Sequence, residues 1–236
     1  MVTDTDSFDL AAATARLTGE TGDRQLVSLT REELYGVGDD PVLGHAADVV
    51  WWDALTDREQ GLVLETAQRG LVARNLLVPD GEGELVAADE VRVVLAARKA
   101  PSRIVVLTDP AVRSSDGVGL QVAVLGLPVP EGAPYAFVVS VRIEGVYLHR
   151  LVTAEHAPEV AAEWLLRAPA DEPGEAGRTV EVLDPGSVDT VAARHRAVVV
   201  GRDGAWALSE VVDGTPGEPD PVDGAALRTW LAARMG

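Results

Sequence analysis

Residues 55–101, LTDREQGLVLETAQRGLVARNLLVPDGEGELVAADEVRVVLAARKAP, decide the reading of the fold. The stretch opens with a capping box: Thr56 can accept from the amide of Glu59, and the Glu59 carboxylate can reach back to Thr56. Leu64, Ala67 and Leu71 then recur at helical spacing. Val63 and Val72 widen that stripe, while Arg58, Glu65, Arg69 and Arg74 keep the opposite face wet. The cluster from Pro79 to Gly83 is a turn that no helix crosses easily. A second helix is expected from about Ala88, with Val91, Val94 and Leu95 inward. Ala100-Pro101 stops it, because proline pushes the residue before it out of the α region. An apolar strand, Ile104 to Leu107, follows.

Beyond Pro101 the pattern changes to period two and to continuous apolar runs. Residues 103–108, 120–125, 135–143 and 146–151 read as four strands. Their connections are too short for parallel crossovers, so an antiparallel meander is expected. Residues 154–167 then read as a helix, with Val160, Trp164 and Leu165 on one side. Residues 169–177, PADEPGEAG, have the composition of a linker. Further on come a strand at 179–183, a short helix at 187–194 and a hairpin of 197–200 with 205–212 turning on Asp203-Gly204. A loop at 214–221 and a last helix at 225–235 close the chain.

Upstream, 8–17 is a short helix, 25–28 a short strand, and Thr30 with Glu33 a second capping box with a Leu29–Leu34 staple. The pair Trp51-Trp52 is expected to pack between helical layers. Two segments share one order: 139–168 and 198–234 each run strand, tight turn, strand, then a tryptophan-bearing helix. A weak repeat and two similar halves are expected from this. The resulting division is an N-terminal half at 1–168, a linker at 169–177 and a C-terminal half at 178–236. The fold class is α+β, an antiparallel central sheet with helical bundles in two quasi-repeated halves.

Composition limits the function. The chain has 236 residues, 47% hydrophobic and 25% charged, which is the balance of a globular protein. No run approaches the ~20 apolar residues of a membrane-spanning helix. The first residues, rich in aspartate and without a basic segment, do not read as a secretory signal, and a cytoplasmic protein is expected. There is no cysteine, which excludes disulfides and thiolate chemistry. The net charge of −18 repels nucleic acid and anionic membranes. Genome composition or adaptation to salt explains that acidity more economically than a basic partner does.

Motifs for chemistry are scarce. Gly117-Val118-Gly119 lacks the third glycine of a dinucleotide loop, and Lys99, the sole lysine, lies in no phosphate-binding loop. No G-x-S-x-G elbow occurs. His45, His149, His156 and His195 are scattered, with no zinc spacing. Asp80 to Glu84 lacks the sixth-position glycine and twelfth-position glutamate of a calcium loop. The helix–turn–helix–strand order of 55–107 fits a winged-helix core, but the second helix is short of the basic face a recognition helix brings. No catalytic residue, cofactor or metal is assigned.

The order LTREEL, LTDREQ, a long helix closing on Arg69-Gly70-Leu71 with Leu76-Leu77, an Asp80-Gly81 turn, and a helix ending at Pro101 resembles the EspG-like chaperones of type VII (ESX) secretion. The resemblance lies over residues 26–108 and is architectural beyond. It implies a non-catalytic cytoplasmic chaperone, monomer or homodimer, that binds a helical secretion substrate of the PE–PPE or WXG type. An edge of the sheet and the C-terminal helices would cover apolar positions on the partner's helices. The contacts implied are Val112, Arg113 and Val118 in the 112–118 loop, and Leu227, Trp230 and Leu231 in the last helix. A winged-helix-like DNA-binding regulator and a non-catalytic scaffold domain are the alternative readings.

Overall fold

In a computed structural model the residues described are 8–18, 23–38, 46–81, 83–113, 119–129, 135–167, 176–183, 193–202 and 205–235. Both capping boxes form. Thr30 starts α2 (Arg31–Gly36) and Thr56 starts α4 (Asp57–Ala73), each with its side chain accepting the N3 amide and the glutamate returning the bond. Gly36 lets α2 approach α4 closely, since a Cβ there would sit 3.0 Å from that of Ala67. After α4 a small hairpin, β2 (Leu77–Pro79) and β3 (Leu85–Ala87), leads into α5 (Asp89–Lys99).

The meander is present as β4 (Ile104–Arg113), β5 (Gly119–Gly126), β6 (Tyr135–Ile143) and β7 (Val146–Thr153). β1 (Arg24–Thr30) joins its β7 edge. On the other side β4 pairs with β8 (Ala176–Leu183), followed by β9 (Ala193–Arg202) and β10 (Ala205–Val212). The short β11 (Thr215–Pro216) and β12 (Asp220–Pro221) fold back on β10, making an antiparallel sheet in the order β1-β7-β6-β5-β4-β8-β9-β10-β11, with β12 also on β10. The prolines of β11 and β12 suit a sheet edge, because they lack the N–H that a further strand would need.

The C-terminal region departs from expectation in three places. Residues 176 and 177 pair as strand rather than ending a linker, because Ala176 and Gly177 continue the register opposite Gly201 and Val200. Residues 193 and 194 belong to β9 rather than to a helix; the rest of the helix expected at 187–194, and 169–175, lie outside the described residues. The stretch 214–221 holds two short strands where a loop was expected.

Seven α-helices lie among the described residues, and the sheet has a core on each face. On the first face, α1 (Leu10–Thr18), α2 and α5 bury Ala13, Leu17, Leu34, Val91 and Val94 against Leu29, Ile104, Leu125, Val138 and Leu151. On the second, α6 (Ala157–Leu165) and α7 (Gly224–Met235) pack against each other and bury Ala161, Leu165, Leu227 and Leu231 against Val105, Val124, Val180 and Val199. Alternation along each strand sends neighbouring residues to opposite cores, so both faces of β4 read as apolar.

Candidate functional site

Each face carries a buried arginine–aspartate pair. On the second face Arg178 of β8 donates from Nε to Asp109 Oδ2 at 2.7 Å and from Nη1 to the Leu165 and Trp164 carbonyls at 2.6 and 3.2 Å. It thus satisfies carbonyls that the C-terminus of α6 leaves open. On the first face Arg142 of β6 grips Asp48 bidentately, at 3.1 and 2.7 Å. The Tyr147 hydroxyl donates to the same carboxylate, and Arg31 Nη1 lies 3.6 Å from it. Asp48 belongs to α3 (Ala46–Asp53). Burial, and then the hydrogen bond to Asp48, hold the Tyr147 hydroxyl protonated far above its usual range.

His149, one step along β7 on the same face, repairs a flaw in the sheet. Between Gln25 and Ser28 the register of β1 slips, so Leu26 and Val27 both lie opposite His149. The Val27 carbonyl is met by His149 Nδ1 at 3.0 Å, and Gln25 donates to the His149 carbonyl at 3.0 Å. A carbonyl only accepts, so Nδ1 carries the proton. Among the described residues Nε2 has no hydrogen-bond partner. Burial first, then the positive charge of Arg98, push the imidazole down to about 3, so it is neutral at ordinary pH. These groups hold the fold together.

A cleft of about 440 Å³ opens to solvent on the second face, lined by Val122, Val139, Val141 and Leu148 on the sheet and by Val160 and Trp164 of α6. Gln25, Arg150, Glu163 and Arg167 line the rest. Register brings the floor together: Val141 pairs with both Val122 and Leu148. Along the same strands Leu148 is 36% and Ile143 48% exposed. The wall of the cleft, residues 160, 163 and 164, is one helical stripe of α6, and Arg167 follows just past its end. Arg150 is anchored by Asp23, which also takes Nδ1 of His156 at the start of α6.

The geometry of this face leaves room for a helix. Eight long strands at ~4.8 Å spacing make a sheet ~34 Å across, and two helices at ~10 Å each cover ~20 Å of it. The uncovered part lies at Val141, Ile143 and Leu148 of β6 and β7, beside α6, and is on the order of one helix wide.

The residues expected to meet a partner are not gathered in one place. Leu227 and Leu231 are fully buried in the second core and attach α7 to the sheet. Trp230 is half-buried, with its N–H on Glu210 at 2.7 Å and the Arg234 guanidinium 3.9 Å over its ring. Val112 is exposed near the end of β4 and Arg113 is the last residue of that strand, opposite Gly119. Val118 lies outside the described residues. The cleft residues were missed because Val139, Val141, Leu148 and Val160 read as ordinary strand and helix positions under a covering layer. Trp164, one large apolar group beyond what α6 needs for its core, was the available signal. Among the described residues no group of histidine and acidic side chains could hold a metal, and no helix is long and apolar enough to cross a membrane.

No family model matches the chain, and no curated protein matches it.

Proposed function

We propose that this protein is a binding protein without a catalytic role, a chaperone of the EspG type, that takes up a helix of a secretion substrate in the cleft beside α6. The observation that carries this reading is the apolar floor of half-buried Val141 and exposed Leu148, with buried Val122 and Val139 at its inner margin, left open beside the helical layer. A helix laid there would pack on Val160 and Trp164 much as α7 packs on the rest of α6, with apolar residues at i, i+3, i+4 and i+7 downward. Arg150, Glu163, Arg167 and Gln25 would form a polar rim. The DNA-binding alternative is weakened by α5, whose Val91, Val93, Val94, Leu95, Ala97 and Arg98 are all buried, leaving no free helix face for a groove.

The test is co-expression with helical substrates of the PE–PPE and WXG types, followed by size-exclusion chromatography with light scattering. A one-to-one complex that is lost in Leu148→Arg is the expected result. A complex that forms equally well with Leu148→Arg, or no complex with either type, overturns the reading.

A further inference from the structure

We infer that the outward face of α3 is a second docking surface, fitted to a basic amphipathic helix of another protein. In α3, AADVVWWD, the usual arrangement is inverted. Asp48 is 2% exposed, whereas Val50 is 69% exposed and Val49, Trp51 and Trp52 are only half-buried. A helix this apolar normally turns its hydrophobic residues to a core. Here the rotation is fixed by Asp48, because turning it outward would break, in the interior, the two hydrogen bonds it accepts from Arg142 and the one it accepts from Tyr147. The apolar side chains therefore stay at the surface by construction.

The composition of that surface is that of an interface centre. Tyr35 and Trp52 stack with ring centroids 4.1 Å apart, Trp51 lies 6.2 and 6.0 Å from them, and the Arg31 guanidinium sits 4.0 Å over Trp51. Tryptophan, tyrosine and arginine are the residues that dominate binding energy where proteins meet. Charge selects the partner. Arg31 is already answered by Asp48 and Glu32. Among the described residues, the exposed charges that follow along the chain are Asp53, one turn after Val50 on the same side of α3, and Asp57 and Glu59 at the start of α4, against Arg58. A rim with that excess of carboxylates, on a chain of charge −18, draws lysine and arginine. The surface does not depend on the cleft, since Asp48 anchors α3 to the first face of the sheet and the cleft opens on the second.

The probe is a synthetic helical peptide of about five turns with leucines at i, i+3, i+4 and i+7 and lysines beside them, compared with the same peptide carrying glutamates. Both are titrated into the full-length protein, following heat and tryptophan emission, at about 0.05 and about 0.3 M NaCl. The lysine peptide is expected to bind, more weakly by about tenfold at the higher salt and by at least about tenfold in Val50→Glu. Val50 is exposed, so that variant keeps its fold, as circular dichroism will register. Leu148→Arg is expected to bind the lysine peptide as the wild type does, which separates this surface from the cleft. The inference is overturned by no binding, by equal binding of the glutamate peptide, by binding indifferent to Val50→Glu, or by a dimer of the chain that Val50→Glu abolishes.

Discussion

At the scale of single residues, Arg178 carries the heaviest structural duty on the second face. Its partner Asp109 is 4% exposed, and removing the guanidinium strands that carboxylate in the core while freeing two carbonyls of α6. Arg178→Met is expected to cost about 3–5 kcal/mol by urea denaturation, and adding Asp109→Leu to recover most of it, because the pair is costly mainly when half of it remains. His149 supplies a second expectation. Its folded pKa, about 3, lies below the unfolded value, so between the two the unfolded chain binds the extra proton. The contribution is therefore full above pH 6.5 and is lost as pH falls, with a slope of up to about 1.4 kcal/mol per pH unit. His149→Asn keeps an N–H for the Val27 carbonyl but cannot titrate. Urea midpoints measured from pH 7 to pH 4.5 should fall less steeply in that variant than in the wild type.

At the scale of elements, the two capping boxes differ in a way that a variant can read. Glu33 of the Thr30 box also takes Arg74 on both oxygens, at 2.7 and 2.8 Å, whereas the Thr56 box stands in solvent and its Thr56–Glu59 amide bond is long, at 3.4 Å. The hydrogen bond from the Thr56 side chain, then that from its backbone, lowers the Glu59 pKa. Thr56→Ala is expected to cost about 1 kcal/mol and Thr30→Ala more, since the second cap also fixes Glu33 under Arg74. Equal losses in thermal melts would show that the Arg74 contact adds nothing. These boxes were legible in the sequence because capping is local chemistry, decided within four residues. The strands of the meander were legible for the same reason. The open cleft was not, because it depends on which strand pairs with which: Val122, Val141 and Leu148 meet only through register. Nor was the inverted helix α3, whose facing is set by Arg142 and Tyr147, far along the chain. The tryptophans read as core because large aromatic residues normally are.

At the scale of the whole molecule, β4 is the strand on which both groups of elements meet, β5 on one side and β8 on the other, with a helical layer on each face. Its pairing with β8 puts the strands after residue 176 in the same sheet as those before 153, a relation that no local pattern could announce. The charge is a property of this scale too. Thirty-eight acidic residues face twenty basic ones, and three of the arginines, Arg98, Arg142 and Arg178, are spent in the interior. The exposed pairs, such as Arg69–Glu65 and Arg16–Asp89, are each worth about 0–1 kcal/mol and are weakened by salt. Self-repulsion among the remaining carboxylates is also weakened by salt, and it acts in the opposite direction. Raising NaCl from about 0.02 to about 0.5 M shortens the screening length from roughly 20 Å to roughly 4 Å, which weakens repulsion between distant carboxylates more than attraction within pairs in contact. The melting temperature is therefore expected to rise over that range. The buried Asp48–Arg142 and Asp109–Arg178 pairs, shielded from ions, should contribute equally at both ends of it. A melting temperature that falls with added NaCl would mean that the surface pairs outweigh the excess of negative charge, and that the acidity leaves the folded state unstrained.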